Sequence, residues 1–486
     1  MPAAPADFSI RYAELPPLFH VKTALQPVQH ASWLLRNERL AEELGLDAAW
    51  FRSEAALQAF TGNAPLPGAD PIAMAYSGHQ FGGWSPRLGD GRALLAGEWM
   101  APDGVRRDIH LKGSGRNSFS RRGDGRAALG PMIREYIVSE AFARLGIPST
   151  RALAVTATGE TVVRQREEPG AVLTRVAKSH VRVGTFQWAA TQGDAAAVAA
   201  LMRFEAERNF GGLPAGENQA LWFLRQVQER QARLIAQWMA VGFIHGVMNT
   251  DNMQIAGETL DFGPCAFMDA FHPKKVFSSI DEWGRYAWDQ QPSMALWNLS
   301  RFAETLLPLI DTEQDAAIEK AQAALADFMP AFEVAFESLM RAKLGWHGTE
   351  EEDGAQIAAI LRAMMEGGAD LTLTFRHLTR HAAGESPIAL TSLFNSVESA
   401  QSFLSAWQAR AGAAPDVAAM RAHNPVLIPR NHRIEEAIRA AEAGDVSLAE
   451  RLSRALATPY AENPVFTDLE AAPRPGEEVR MTFCGT

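Results

Sequence analysis

Asn252 and Asp261 share one short stretch, HGVMNTDNMQIAGETLDFGP at residues 245–264, and both are hard oxygen ligands. A phosphoryl-transfer site with this order of groups carries a base two residues after its His, then an Asn, then Asp-Phe-Gly. His245, Asn252 and Asp261-Phe262-Gly263 keep that order, but Val247 stands where the base belongs. Gly257-Glu258 can turn a tight hairpin between Asn252 and Asp261 and so bring the amide and the carboxylate together. Such a pair suits Mg²⁺ or Mn²⁺, which complete their shells with substrate phosphate and water. An isolated Asp-Phe-Gly is equally well a turn closing a strand. The full order of helix, His, Asn, hairpin and Asp-Phe-Gly is what favours a metal.

A phosphate site of this kind also needs a Lys on a strand and a Glu on the next helix to hold it. Lys112 ends the alternating run RRDIHLKG, and Glu135 follows 23 residues later. Alone they read as a solvated surface pair; upstream of the hairpin they read as the required pair. Gly82, Gly83, Gly89 and Gly91 lie between apparent strands, and Gly-Asp-Gly-Arg recurs at 89–92 and 123–126. Glycines let backbone amides approach phosphate oxygens, although a plain hairpin explains the first run as well. Arg116, Arg121, Arg122 and Arg126 crowd around the second copy in a chain of net charge −11, a concentration that suits a polyphosphate. Arg175 and Arg182 follow in AVLTRVAKSHVRVG. They are either solvated edge residues or bidentate phosphate ligands. In the second case phosphates occupy the place where a kinase seats its base, and the nucleotide is turned round.

These groups need elements to position them. Short β-like runs fill residues 71–185, interrupted near 130–145 by a stretch with Ile133, Ile137, Ala141 and Leu145 on one helical stripe, stopped by Gly146 and Pro148. After 186 the pattern is helical, and Leu224, Val227, Leu234, Trp238 and Val241 form a stripe on the helix that delivers the chain to His245. The expected fold class is mixed α/β (α+β): a protein-kinase-like bilobal fold with a β-rich N-lobe, one key helix and a large helical C-lobe. The expected boundaries are an N-terminal extension at 1–70, the N-lobe at 71–185, the C-lobe at 186–462 and an extended Pro-rich tail at 463–486.

A chain of 486 residues exceeds one ordinary core, as two lobes require. Its 46 Lys and Arg against 57 Asp and Glu argue against broad binding to nucleic acid or anionic membrane. No apolar run reaches the roughly 18 residues of a membrane helix, and the first residues lack a signal-peptide pattern, so a cytoplasmic protein is expected. Cys265 and Cys484 are too few for a disulfide framework.

The strings SGHQFGGWSPRLGDGRA, HLKGSGRNSFSRRGDGRAALGPMIREYIVSEA, HGVMNTDNMQIAGETLDFGPCAFMDAF and NPVLIPRN, with a cysteine near the C-terminus, resemble the selenoprotein O family, known in bacteria as YdiU. The resemblance spans nearly the whole chain. It implies a protein adenylyltransferase that binds ATP inverted and moves AMP to Ser, Thr or Tyr hydroxyls of protein partners; UMP transfer with Mn²⁺ is also attributed to the family. Residue by residue, it implies Asp251 as the base, Asn252 and Asp261 as metal ligands, and Lys112 as a phosphate contact held by Glu135. It further implies Gly89, Gly91, Arg92, Asp124, Gly125, Arg175, Arg182 and Asp261 as nucleotide-binding positions. Asp251 could instead merely cap a turn in NTDN. An ordinary γ-phosphate kinase and a nucleotide-binding scaffold without turnover remain the rival readings. The tail ends Cys-Gly-Thr, where relatives commonly carry Ser-Ser after the cysteine or selenocysteine. Cys265, two residues past Gly263, is a candidate redox partner for Cys484.

Overall fold

The computed structural model describes residues 8–412 and 414–483, so Cys484 lies outside the described residues. The first half of the chain is built from strands β1 (His20–Lys22), β2 (Ser32–Arg36), β3 (Ile72–Met74), β4 (Gly78–Gln80), β5 (Gly83–Ser85), β6 (Ala93–Met100), β7 (Arg106–Lys112), β8 (Ala127–Ala128), β9 (Arg151–Val163) and β10 (Glu167–Ala177). Eight of these form one antiparallel sheet in the order β1-β3-β6-β7-β10-β9-β2, with β8 on β10. β4 and β5 stand apart as a hairpin.

The period of two along β7 explains how the sheet serves both a core and a site. Ile109 and Leu111 pack with Leu94, Val172 and Val176 into one apolar cluster, which leaves Asp108, His110 and Lys112 to face the other way. Helices α1 (Glu38–Glu43), α2 (Ala48–Phe51) and α3 (Glu54–Thr61) contribute Leu40, Trp50, Phe51 and Phe60 to that cluster, and side chains of Asn37, Asp47 and Ser53 cap their N-termini. The segment read from sequence as an extension therefore supplies both edge strands and a cover for the sheet. β9 runs unbroken from Arg151 to Val163 through Gly159, which takes φ +70°.

Helix α4 (Leu129–Leu145) packs its buried Ile133, Ile137 and Ala141 into the main core and stops at Gly146, which is left-handed at φ +76°. Beyond the sheet come α5 (Val183–Thr191), α6 (Ala195–Asn209) and α7 (Gln219–Ala240). The α7 stripe is buried as its spacing predicts, and each such side chain contributes about 1.5–3 kcal/mol relative to exposure. β11 (Phe243–Ile244) and β12 (Ala266–Phe267) pair to bracket the Asn252–Asp261 segment. Helices then dominate to Ala455, and the tail opens with a 3-10 turn, Pro464–Leu469, and turns again at 475–477. Thr482 pairs with the chain at Phe277–Ser279 and donates to the Pro264 carbonyl. Among the described residues no helix is long and apolar enough to cross a membrane.

One buried carboxyl sets a pH dependence of stability. Glu205 on α6 accepts from Ser179 Oγ at 2.7 Å and Asn209 Nδ2 at 3.0 Å. Burial pushes it up to about 7 despite the opposing pull of Arg208. A folded-state value above the unfolded one means that its stabilising effect is complete below pH 4.5 and is lost as pH rises to about 7. Glu205→Gln is therefore expected to melt above wild type at pH 8, with the gap closing by pH 5. The ceiling is about 3 kcal/mol at about 1.4 kcal/mol per pKa unit, and thermal melts at the two pH values measure it.

Candidate active site

Four charged side chains meet where β7, β10 and α4 face the turn before β12. Lys112 Nζ donates to Glu135 Oε2 at 2.7 Å and to Asp261 Oδ1 at 2.9 Å. Arg175, opposite His110 across the β7–β10 ladder, donates through Nε to Glu135 and through Nη2 to Asp261. Two cations thus face two carboxylates, and all but Asp261 are buried. Burial works against charge on each acid, but Arg175 and Lys112 outweigh it and hold Glu135 low and Asp261 well below the carboxylate range, with Arg182 adding to the effect on Asp261. Lys112 is lowered by burial and by Arg175. Asp261 sits at φ +65°, a left-handed conformation unusual for a residue other than Gly, and its two cationic partners hold it there.

Asp251 lies in the 3-10 turn Thr250–Asn252 beneath the β4–β5 hairpin. The hairpin docks by backbone donors, His79 N to Thr250 Oγ1 at 2.7 Å and Phe81 N to Asn249 Oδ1 at 3.0 Å, and by Gln80 Nε2 to Asp251 Oδ2 at 3.1 Å. Tyr286 also donates to Asn249 Oδ1, at 2.8 Å. Gly78 permits this approach, since a Cβ there would lie 2.6 Å from Asp251 Oδ1. That oxygen is buried and has no hydrogen-bond partner among the described residues. Burial pushes the Asp251 carboxyl up to about 6, against the lowering hydrogen bond from Gln80. His245 braces the fold of the loop. Its Nε2 donates to the Leu260 carbonyl at 2.9 Å, and its Nδ1 accepts from Val247 N, which ties the loop carrying Asp251 to the turn holding Asp261.

These groups open onto one cleft of about 550 Å³. Seven cationic side chains line it (Arg92, Lys112, Arg121, Arg126, Arg164, Arg175 and Arg182) against four carboxylates, Asp90, Asp124, Asp251 and Asp261. Gly89, Gly91, Gly125 and Asn252 also line it, whereas Glu135 stands behind Lys112 and is not part of the wall. Arg116 and Arg122, singled out from the sequence with their neighbours, are not among the lining residues. Asp124 is engaged by Arg164 at 2.9 Å and accepts from Arg126 N. Cys265 is buried behind the wall, with Sγ 3.2 Å from the Phe262 carbonyl. Sequence reasoning missed Tyr76, Gln80, Asp90 and His110, all of which line the cleft. Only Asp90 carried a signal, its place inside the first Gly-Asp-Gly-Arg.

Asn252 Nδ2 donates to the Val247 carbonyl at 3.0 Å, which leaves its Oδ1 for ligation, and Asp261 spends Oδ1 on Lys112 and Arg175, which leaves Oδ2. Among the described residues no group of three or more His, Cys, Asp or Glu is arranged to hold a metal. Two oxygen ligands on an otherwise open wall fit Mg²⁺ or Mn²⁺, which keep several waters and take the rest of their shell from phosphate.

With this geometry in place, comparison with known proteins decides the family. The family described as "Protein adenylyltransferase SelO" matches residues 2–457. The chain belongs to the SelO family. A "Protein nucleotidyltransferase YdiU" of Rhizobium etli strain CFN 42 is 52% identical over 494 residues, covering 100% of this chain and 98% of its own length. Proteins of the same description from Rhodopseudomonas palustris (BisB18) and Rhizobium meliloti (1021) are each 50% identical, over 99% of both chains. Membership places this SelO chain among the protein nucleotidyltransferases, with a β-rich lobe and a helical lobe that match the kinase-like expectation.

Proposed function

We propose that the protein transfers AMP from ATP to Ser, Thr or Tyr hydroxyls of other proteins, with the nucleotide inverted in the cleft. The observation that carries this reading is the location of Arg175 and Arg182. Both guanidiniums are buried at the inner end of the cleft, whereas Arg121, Gly123 and Asp124 sit at its exposed rim. Guanidinium binds phosphate bidentately and keeps its charge, so the inner end suits the terminal phosphates rather than the base. The acceptor oxygen forms a bond to the α-phosphorus as the bond to pyrophosphate breaks, and Asp251 accepts the hydroxyl proton. Asn252 and Asp261 would hold Mg²⁺ or Mn²⁺, which neutralises charge on the phosphates. Lys112 and Arg175 hold the phosphate chain, with Glu135 fixing both.

Labelled nucleotide tests this directly. With α-labelled ATP and Mg²⁺ the acceptor is expected to gain label and one AMP of mass, whereas γ-labelled ATP leaves it unmarked. Label from γ-ATP alone would establish the ordinary kinase, and binding without label would establish the scaffold. Parallel reactions with UTP and Mn²⁺ report whether UMP is also transferred.

A further inference from the structure

We infer that Asp90 is a positioning residue for Arg182, locked in its own orientation by His110. The inference rests on the reading of the cleft as a nucleotide site. Arg182 is buried, and its guanidinium lies 4.3 Å from the centre of the Tyr76 ring. Its Nη1 reaches Asp90 Oδ1 only at 3.5 Å, and its Nε has no partner among the described residues. Leaving a buried donor unmade costs about 1–3 kcal/mol. Such a guanidinium is restrained yet keeps donor capacity for an incoming anion.

Asp90, by contrast, is saturated except toward Arg182. Its Oδ2 accepts from Met74 N at 3.1 Å and faces His110 Nε2 at 3.2 Å. Its backbone N donates to the Met74 carbonyl at 3.0 Å, and its carbonyl accepts from Asn117 Nδ2 at 2.6 Å. With Oδ2 committed twice, Oδ1 can present only one direction to the cleft. His110 cannot swing away either. Its ring stacks on His180 with centroids 4.2 Å apart and planes 18° from parallel, and His180 Nδ1 is tied to Asp108 Oδ2 at 3.0 Å. A rigid file of side chains thus runs from the sheet interior to the guanidinium, and each member fixes the next.

Two effects oppose each other when Asp90 is neutralised. Removing a carboxylate from a phosphate-binding wall tightens nucleotide binding, whereas releasing Arg182 from its restraint weakens it. Preorganisation dominates if Asp90 has the inferred role, because a freed guanidinium must be ordered anew with each nucleotide bound. Asp90→Asn in the full chain is therefore expected to raise both the Kd and the KM for ATP about tenfold, with kcat within about twofold, the pattern of lost uniform binding. In an Arg182→Ala background the same change should no longer weaken ATP binding, since only the loss of the carboxylate's repulsion remains. His110→Ala should reproduce the effect of Asp90→Asn, and His110→Gln, which keeps a donor, should recover most of it. The His110 pair carries the test if Asp90→Asn does not fold. Tighter or unchanged ATP binding by Asp90→Asn would overturn the inference, as would equal weakening with and without Arg182. Failure of the wild-type protein to bind ATP would instead strike the nucleotide reading itself.

Discussion

Asp261→Asn is expected to lower nucleotidyl transfer by more than about 10³-fold, beyond the 10²–10³ lost when a single preorganised donor is removed. In the proposed mechanism Asp261 serves three groups at once. Its Oδ1 receives Lys112 and Arg175, and its remaining oxygen is available to a metal beside Asn252. Neutralising it removes the metal ligand of the proposed mechanism and leaves two buried cations sharing Glu135 alone. Both consequences fall on phosphate positioning, so loss of affinity and loss of rate should appear together. Asp261→Ala should in addition destabilise the fold by about 3 kcal/mol, the lower end for breaking a buried charge group. Relief of the left-handed φ is not expected to offset this, because alanine tolerates that region no better than aspartate. Intact-mass kinetics with ATP and Mg²⁺, paired with thermal melts, separate the two effects. Wild-type turnover by the folded Asp261→Asn protein would remove the metal assignment.

The parts of this site that were legible in the sequence are those set by local spacing. Lys112 and Glu135 could be paired because a strand end and the next helix face each other in this order, and Asn252 and Asp261 because a short turn joins them. What joins Arg175 to Glu135 and Asp261 is the β7–β10 register, which periodicity alone does not specify. Gln80 was invisible for a different reason. It reaches Asp251 across 171 residues through a three-residue strand, too short to announce itself. The edge strands β1 and β2 were lost likewise: their exposure runs lack a clean alternation, so the first 70 residues read as an appendage. Pro464 misled in the tail, since at the first position of a helical turn a fixed φ favours the turn that its presence seemed to exclude.

Asp251, the base of the proposed mechanism, should reveal itself by its pH dependence. Asp251→Asn is expected to reduce kcat about 10²–10⁴-fold, the usual contribution of a positioned general base, with little change in ATP affinity because the carboxylate makes no phosphate contact in this reading. Burial leaves the group at about 6, so at lower pH it carries a proton and cannot accept another. Transfer by the wild type should therefore fall as pH drops through about 6. A divalent cation beside Asn252 stabilises the ionised form, so in the metal-loaded enzyme the limb lies at or below that value. The residual activity of Asp251→Asn should lose the limb altogether, since its amide does not titrate. Asparagine keeps the shape that Gly78 admits and can still meet Gln80, so the fold is expected to survive and the comparison to stay clean. Rate profiles from pH 5 to 8 for both proteins, at saturating ATP, make the measurement. A variant with the wild-type limb would show that some other group takes the proton and would return Asp251 to the role of a capped turn.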